Sequence, residues 1–433
     1  MSFHLIGSLA STEEIAEVFS DRSVLEALLA FEAGLARAQA RLGIIPAEAA
    51  EKIAYAAATP DSFDAAAIAR AARQSASIAI PLVKELMQRA GEASRYVHWG
   101  ATSQDAVDTA MVLLLKQAEA VLARDHLRLK KSLRALSERY RGAAMLARTL
   151  LQPAPPTTFG YKVAGWYGAI DRSWPFGDDL PLQFGGAAGT LASYGTEGPA
   201  LTRELATELG LPLCEAPWHT HRDRLARLVA GCGIYTAALG KMARDISLLM
   251  QQEVGEVAEA GGGSSAMPNK LNPSGCAIVL AAANRTPGLV AAFLSGMIQE
   301  HERSAGGWQA EWATVSATVE AMGSALAAMV ATIDGLAVYR ERMRANLAAT
   351  QGVIFAEKAA MMLTPKLGRE AAHALLAEAA RSAVAQGRTM REILAQSGAL
   401  DEEQLARLDD PHDYLGAAEE FRRKLLEEDD AAG

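Results

Sequence analysis

Cysteine is scarce in this chain of 433 residues, which contains only Cys214, Cys232 and Cys276. Three widely spaced cysteines form neither a disulfide framework nor the paired spacing of a zinc site. Buried thiols in a reducing compartment are the simplest interpretation. We therefore expect a cytoplasmic protein with no metal site and no cofactor.

The chain also lacks a cationic excess and a long apolar run. Its formal net charge is −9, whereas nucleic-acid-binding proteins normally carry a basic face, so we expect no nucleic-acid partner. The first residues, MSFHLIGSLASTEEIAEVF, show no cationic region followed by an apolar core and a cleavage site, which predicts no signal peptide. No apolar run approaches the roughly 18 residues that span a bilayer, so we expect no membrane partner.

Aromatic residues make up only 6% of the chain, while hydrophobic residues make up 50%, most of them alanine and leucine. This mixture suits long helices that pack closely. The stretch DRSVLEALLAFEAGLARAQARLG has apolar residues at helical spacing, with Asp21 as a plausible N-cap and Gly43 as a plausible stop. No stretch shows convincing strand alternation, and the sequence therefore predicts an all-α fold.

Four stretches are too long and unbroken for ordinary globular helices, which indicates a bundle of rods. They run from Ser103 to Tyr140, through HRDRLARLVAGCGIYTAALGKMARDISLLMQQEVGEVAEA, from about Pro273, and from about Gln309 to Arg342. Shorter helices precede and follow them. We predict three helical domains, at residues 1–101, 102–345 and 346–433, of which the second is a central long-helix bundle.

One segment, GGGSSAMPNKLNP from Gly261 to Pro273, interrupts the helical pattern. Its glycines, serines and prolines are poor helix formers. Asn272 is a good N-cap and Pro273 suits a first helical position, so the loop leads into the positive end of a helix dipole. An anion could bind there, although a plain glycine-rich connector remains the alternative. The candidate ligand groups in this loop are Ser264, Ser265 and Lys270.

Three further clusters combine polar and cationic residues. They lie in HWGATSQDAVD, in ARTLLQPAPPTTFG and in QEHERSAGGWQAEW. Each cluster also has a simple structural interpretation: a capping box with Asp105 at the start of a helix, a solvated arginine, or a core histidine. The candidate site residues in the clusters are His98, Thr102, Ser103 and Gln104; Arg148, Thr149 and Gln152; and His301 and Arg303.

Together these segments resemble the fumarase/aspartase superfamily over nearly the whole chain. GSSAMPNKLNP matches its specific GSSxMPxKxNP signature, VHWGATSQDAVDTA resembles its first conserved region, and ARTLLQPA its second. Within the superfamily, the chain most resembles the bacterial 3-carboxy-cis,cis-muconate cycloisomerases, the lactonizing enzymes of protocatechuate catabolism. The segments that carry this resemblance are FSDRSVLEALLAFEAGLARAQARLG, VHWGATSQDAVDTA, FGGAAGTLASYG, PWHTHRDRL and QEHERSAGGWQAEW.

The resemblance implies a homotetramer built around the central rods, in which each active site gathers conserved regions from three subunits and acts on a small polycarboxylate. It implies that Ser264 moves the carbon-bound proton, while His98 positions the substrate or shuttles a proton. The residues that would bind substrate are Thr102, Ser103, Gln104, Thr149, Gln152, Ser265, Lys270, Asn272 and Arg303.

Leu150 departs from most of the superfamily, whose lyases have a catalytic histidine at this place. The cycloisomerases also lack that histidine, typically with tryptophan there, so Leu150 favours their branch without being their usual residue. A β-eliminating lyase on a succinyl-type substrate, such as adenylosuccinate, is the nearest alternative. A catalytically silent scaffold and an anion-binding regulator are alternatives of another class.

Overall fold

The protein is mostly α-helical in a computed structural model that describes residues 5–177, 180–263, 267 and 270–427. Within these ranges, seventeen α-helices, α1 to α17, span Glu13–Val18, Asp21–Arg41, Ala47–Ala57, Ala65–Ser75, Ala79–Ala90, Ser103–Arg139, Phe159–Arg172, Gly198–Leu209, Asp223–Leu249, Ser274–Ser295, Gly307–Asp334, Arg340–Ala348, Ala356–Leu367, Arg369–Gln386, Met390–Ser397, Glu402–Leu408 and Ala418–Glu427. The same ranges contain four strands, β1 to β4, which span Ala144–Thr149, Gln152–Thr158, Val257–Ala258 and Ala337–Val338. The predicted all-α class is confirmed.

Helix α2 shows how local sequence sets a helix boundary. Ser20, not Asp21, is the N-cap, since its hydroxyl accepts a hydrogen bond from the Ser23 N–H. Asp21 is the first helical residue, where a negative charge still favours the positive end of the dipole. Gly43 lies just beyond the helix with a φ of 72°, so it is the expected stop. The helix packs against α3 and α8 and buries Phe31 completely.

The four predicted rods are helices α6, α9, α10 and α11, but two of them end earlier than expected. Helix α9 stops at Leu249, and turns lead from there to Gly255, which has a φ of 59°. Helix α11 stops at Asp334 rather than continuing to Arg342. A Cβ atom at the following residue, Gly335, would lie 2.9 Å from the Ala260 side chain, and the chain next forms β4 against β3.

A β-hairpin formed by β1 and β2 corrects the expectation that no strand is present. The two strands pair antiparallel, from Ala144 opposite Thr158 to Thr149 opposite Gln152. The prolines of β2 hide it from a sequence reading, because proline cannot donate a ladder hydrogen bond. A two-stranded ribbon tolerates them, since each strand has an outer edge that needs no partner.

The turn of this hairpin is unusual for its residue types. Leu150 and Leu151 occupy its two central positions with φ values of 50° and 65°. Such turns favour asparagine and glycine, because a side chain with a Cβ is strained at positive φ. Leu150 is 97% exposed and Leu151 is 76% exposed. The hairpin therefore has a strained backbone at its tip, where two apolar side chains are exposed.

The described residues divide into two compact units. The first takes residues from 1–126, 173–240 and 278–327, and the second from 127–172, 241–277 and 328–433. The second unit includes a separate cluster of buried residues around Leu363, Leu376 and Leu394 in the last helices. The predicted division into three domains remains a prediction.

Two described helices are long and apolar enough to cross a membrane by length and composition, α10 and α11. The expectation that no stretch reaches spanning length was therefore wrong by this criterion. Core helices of soluble proteins pass the same test, and 67% of the apolar window of α11 is buried. In α10 the corresponding fraction is only 22%.

Candidate active site

The first predicted cluster lies at the start of α6. The Thr102 N–H donates to Asp105 Oδ2 at 3.1 Å, which forms half of the expected capping box. The Thr102 hydroxyl instead accepts a hydrogen bond from the Arg303 guanidinium at 2.6 Å. The structure thus brings together two predicted site residues that are 201 positions apart in the sequence. The neighbouring Ser103 hydroxyl has no hydrogen bond to any other described residue.

Arg303 has no carboxylate within ion-pair distance in the part of the chain that the structure describes. Its guanidinium carbon lies 6.0 Å from the centre of the Trp308 ring. Burial lowers the pKa of Arg303, against the opposing effect of Asp105 and Asp108, but a guanidinium stays charged at any physiological pH. A partly buried guanidinium beside a hydroxyl and a helix start is well suited to bind an anion.

Asp105 has a larger role than helix capping. Its buried carboxylate accepts hydrogen bonds from the N–H groups of Gly185 at 3.0 Å and Gly186 at 2.9 Å. His219 Nε2 lies 2.8 Å from the same carboxylate. Asp105 therefore holds the loop FGGAAG and His219 against the start of α6, and it positions the backbone on which Thr102 lies.

A buried ion-pair network, which the sequence analysis missed, lies next to this cluster. Arg222 binds Asp108 through both terminal nitrogens, at 2.7 and 3.0 Å, and binds Glu311 through Nε and a terminal nitrogen. The Trp308 indole N–H donates to Asp108 at 2.9 Å. Asp108 and Glu311 each lie among mostly apolar residues of a helix, which was a signal, whereas Arg222 lies in the polar stretch HTHRDR and gave none. The network joins α6 to the start of α11, the helix that follows the Arg303 segment.

Gln104 is completely buried, contrary to the open position that a ligand-binding side chain would suggest. Its amide nitrogen donates to Asp108 at 3.1 Å and to the His219 carbonyl at 2.8 Å. Its Oε1 atom is buried without a hydrogen-bond partner among the described residues. The amide nitrogen is thus structural, and a role in substrate binding stays a prediction for the oxygen alone.

His98 is held by α2. Its Nδ1 atom lies 2.6 Å from Oε1 of the buried Glu32. The residue has a φ of 56°, which is uncommon outside glycine. The carbonyl of the next residue, Trp99, accepts hydrogen bonds from the Gln39 amide and the Tyr194 hydroxyl. Side chains from α2 and from the loop at Tyr194 therefore fix the backbone that carries His98.

The second predicted cluster surrounds the tip of the β1–β2 hairpin. Arg148 pairs with the buried Glu256 at 3.0 and 3.2 Å, and the Asn346 amide donates to the same carboxylate at 2.7 Å. Arg148 therefore forms a structural ion pair with Glu256. Thr149 and Gln152 are exposed and lie opposite each other at the turn.

The glycine-rich loop is described at its two ends and at Met267, and Ser264 and Ser265 lie outside the described residues. Gly263 forms an isolated antiparallel bridge with Leu271, and the Asn272 N–H donates to the Gly262 carbonyl at 2.7 Å. A Cβ at Gly262 would lie 2.0 Å from the Asn272 oxygen, so only glycine fits there. Lys270 is exposed.

The start of α10 corrects one expectation about this loop. The helix begins at Ser274, and Glu259 accepts hydrogen bonds from the N–H groups of Gly275 at 2.8 Å and Cys276 at 3.0 Å. Asn272 was expected to be the N-cap and Pro273 the first helical residue, but the helix begins one residue later. The sequence also predicted an anion site at this helix end, where these two N–H groups lie. A carboxylate of the protein already occupies them, because it satisfies the unpaired donors of the first helical turn.

The predicted site residues are divided between the two units. His98, Thr102, Ser103, Gln104 and Arg303 belong to the first, and Thr149, Gln152, Lys270 and Asn272 belong to the second. No group of three or more metal-binding side chains was found among the described residues. The first unit thus contains the hydrogen-bonded pair of Thr102 and Arg303.

Known proteins resemble this chain over nearly its whole length. A family model described as lyase matches residues 9–288, and one described as adenylosuccinate lyase C-terminus matches residues 352–425. The 3-carboxy-cis,cis-muconate cycloisomerase of Pseudomonas aeruginosa is 45% identical over 96% of this chain and 94% of its own. The enzyme of that name from Bradyrhizobium diazoefficiens is 44% identical over 98% of this chain and 97% of its own. The crystal structure of 3-carboxy-cis,cis-muconate lactonizing enzyme from Pseudomonas putida has a TM-score of 0.92 and 40% identity, with 99% of each chain covered. The chain therefore belongs to the lyase family of the fumarase/aspartase superfamily, as its motifs predict.

Proposed function

We propose that this enzyme catalyses the reversible lactonization of 3-carboxy-cis,cis-muconate to a carboxymuconolactone. The observation that carries the proposal is the partly buried Arg303 guanidinium, bonded to Thr102 at the start of α6 and without a carboxylate partner in the described residues. A polycarboxylate substrate supplies the missing anion. Two relatives, at 44% and 45% identity, carry the name of this activity.

The reaction needs no co-reactant, because substrate and lactone are isomers. One substrate carboxylate oxygen forms a bond to an alkene carbon, and the π electrons move to the adjacent carbon. A second carboxylate attached to that carbon accepts the charge as an aci-carboxylate. The carbon then takes a proton, which completes the lactone. Cationic groups around the charged carboxylate and one positioned acid are the requirements for catalysis.

Ser264 is the proposed acid in the lactonizing direction, and its alkoxide is the base in the reverse direction. Since Glu259 occupies the N–H groups of Gly275 and Cys276 at the start of α10, the proposed group that stabilises an anion near this loop is Lys270. Arg303 and Thr102 bind one substrate carboxylate. The remaining proposed ligands of substrate are Ser103, Gln104, Thr149, Gln152, Ser265 and Asn272, with His98 as a positioning group or second proton donor.

The proposed assembly is a cytoplasmic homotetramer with active sites shared between chains. The apolar helix α10 supports it, because only 22% of its apolar window is buried within one chain. Leu294 within this helix and Ile298 just after it are exposed, and a partner chain would cover them. Residues of the two units could then meet across chains to complete one site.

A β-eliminating lyase acting on a succinyl-type substrate is the second candidate. The match of residues 352–425 to the adenylosuccinate lyase C-terminus favours it. Leu150 argues against it, since such lyases have a histidine at this position.

Turnover assays distinguish the two functions. Loss of diene absorbance with 3-carboxy-cis,cis-muconate is expected, and no fumarate should form from adenylosuccinate. Turnover of adenylosuccinate alone would replace the first proposal with the second.

A further inference from the structure

The pair of Glu32 and His98 is not explained by packing alone. The Glu32 side chain is 0% exposed and that of His98 is 16% exposed. Glu32 Oε1 contacts His98 Nδ1 at 2.6 Å, whereas Glu32 Oε2 is buried without a hydrogen-bond partner among the described residues. A buried carboxylate is costly unless a cation or several donors compensate it. The only described group that offers such compensation to Glu32 is His98.

The other charged and titratable groups near the Glu32–His98 pair bind other partners or are neutral. Asp105 on α6 pairs with His219, and Arg303 donates to Thr102. Burial raises the pKa of Tyr194, so this residue remains a neutral phenol. Burial lowers the pKa of His98, but the Glu32 carboxylate, with a smaller effect from Asp105, outweighs this and leaves the His98 pKa above its usual value.

We propose that Glu32 is a positioning residue that keeps His98 as an imidazolium whose Nε2–H binds a substrate carboxylate. With Nδ1 directed at Glu32, the Nε2 atom lies on the opposite side of the ring and has no hydrogen-bond partner in the described part of the chain. His98 then acts as a fixed cation and not as a base. This assignment rests on the proposed function. In this assignment His98 is a cation for the substrate in addition to Arg303, which belongs to the same unit.

The test compares Glu32→Gln with Glu26→Gln, an exposed residue of the same helix that pairs with Arg22. The amide of Glu32→Gln still accepts the Nδ1 hydrogen bond but removes the charge. In the wild type, kcat/KM should fall as the pH rises through the His98 pKa, because the cation is lost there. In Glu32→Gln this fall should move down by about one pH unit or more, with about tenfold lower kcat/KM at neutral pH, mainly through KM. Glu26→Gln should leave the profile unchanged.

If the Glu32–His98 pair only stabilised the fold, the result would be different. Glu32→Gln would then lower the thermal midpoint while the fall in kcat/KM stayed at the wild-type pH, which would overturn the proposal. A direct titration covers the case in which Glu32→Gln does not fold. In wild-type protein with 13C-labelled histidine, the signal absent from His98→Gln should titrate above the ordinary value of about 6.5. Titration at or below that value overturns the proposal, whereas inactivity of the wild type toward the muconate would overturn only the proposed function.

Discussion

Arg303 is the residue from which the substrate-binding argument starts. Arg303→Met removes the guanidinium but keeps much of the apolar length of the side chain. Loss of a charged contact in a closed site costs on the order of 2–5 kcal/mol, so kcat/KM should fall by roughly 30-fold or more. Steady-state kinetics measure the effect. Arg344→Met, which replaces an exposed arginine paired with Glu341, is the control and should stay near wild type. Near-normal kinetics in Arg303→Met would remove Arg303 from the site.

Ser264 can be tested by the loss of a single hydroxyl. Ser264→Ala should keep the fold and substrate binding, because Lys270 and Arg303 remain. Its kcat should fall by roughly 100-fold or more, the usual contribution of a positioned acid or base. Ser265→Ala should change KM more than kcat. Solvent hydrogen exchange at the product carbon next to the carboxylate should occur in the wild type and not in Ser264→Ala. Turnover of Ser264→Ala within a few-fold of wild type would transfer the proton-donor role to another group.

Arg222 is predicted to matter for stability. Arg222→Met leaves the carboxylates of Asp108 and Glu311 buried without their cation, which should lower the free energy of unfolding by about 3–5 kcal/mol. Urea denaturation measures this change. Arg227→Met, at an exposed position early in α9, should have an effect within about 0.5 kcal/mol. Equal midpoints for the two variants would contradict a role for the network.

At the scale of elements, the strained turn of the β1–β2 hairpin is expected to lower the stability of the fold in return for activity. Leu150→Asn combined with Leu151→Gly places residues that accept positive φ at both central positions of the turn. Release of this strain should stabilise the fold by about 1 kcal/mol or more, measured as a higher thermal midpoint. If the tip contacts substrate or a neighbouring chain, kcat/KM should fall at the same time. A stabler variant with full activity would show that the two leucines have no functional contact.

The elements differ in how far the sequence predicts them. The rods were predictable, since helical periodicity persists over many turns of α6, α9, α10 and α11. Their ends were less so, because the early stop of α11 depends on the close approach of Gly335 to Ala260, which is a tertiary contact. The β1–β2 hairpin was missed, since its prolines argue against a strand unless the ribbon is known to have only two strands.

The site residues also differ in how far the sequence predicts their contacts. Thr102 and Arg303 were predicted as site residues, but their contact at 2.6 Å could not be read from positions so far apart in the chain. The occupation of the α10 start by Glu259 was missed, because Glu259 precedes the loop and lies 16 residues before Gly275 in the sequence. Glu32 was read only as part of an amphipathic helix, and its pairing with His98 depends on packing between distant segments.

At the scale of the whole molecule, assembly is the main prediction. Light scattering on the purified protein should give about four chains. The apolar surface that α10 exposes in a single chain supports association, and the resemblance to the superfamily implies the number four. A monomer with full activity would contradict shared sites.

Mixed tetramers provide a sharper test of shared sites. Ser264→Ala and Arg303→Met carry their defects in different units of the chain. When the two inactive variants are unfolded and refolded together, some mixed sites should contain an intact copy of each residue and regain part of the activity. The control is a mixture of the two separately refolded proteins. If the co-refolded sample is no more active than this control, both residues act within one chain.

The base of the glycine-rich loop has a practical consequence for protein engineering. Gly263 and Leu271 are bridged, and Asn272 is bonded to Gly262, so the loop leaves and rejoins the body of the protein at one closed stem. We therefore expect that residues between the bridged pair can be exchanged for those of another family member while these two contacts keep the flanking segments together. The loop is therefore suited to replacement as one segment, provided that Gly262 and Asn272 are kept at its two ends.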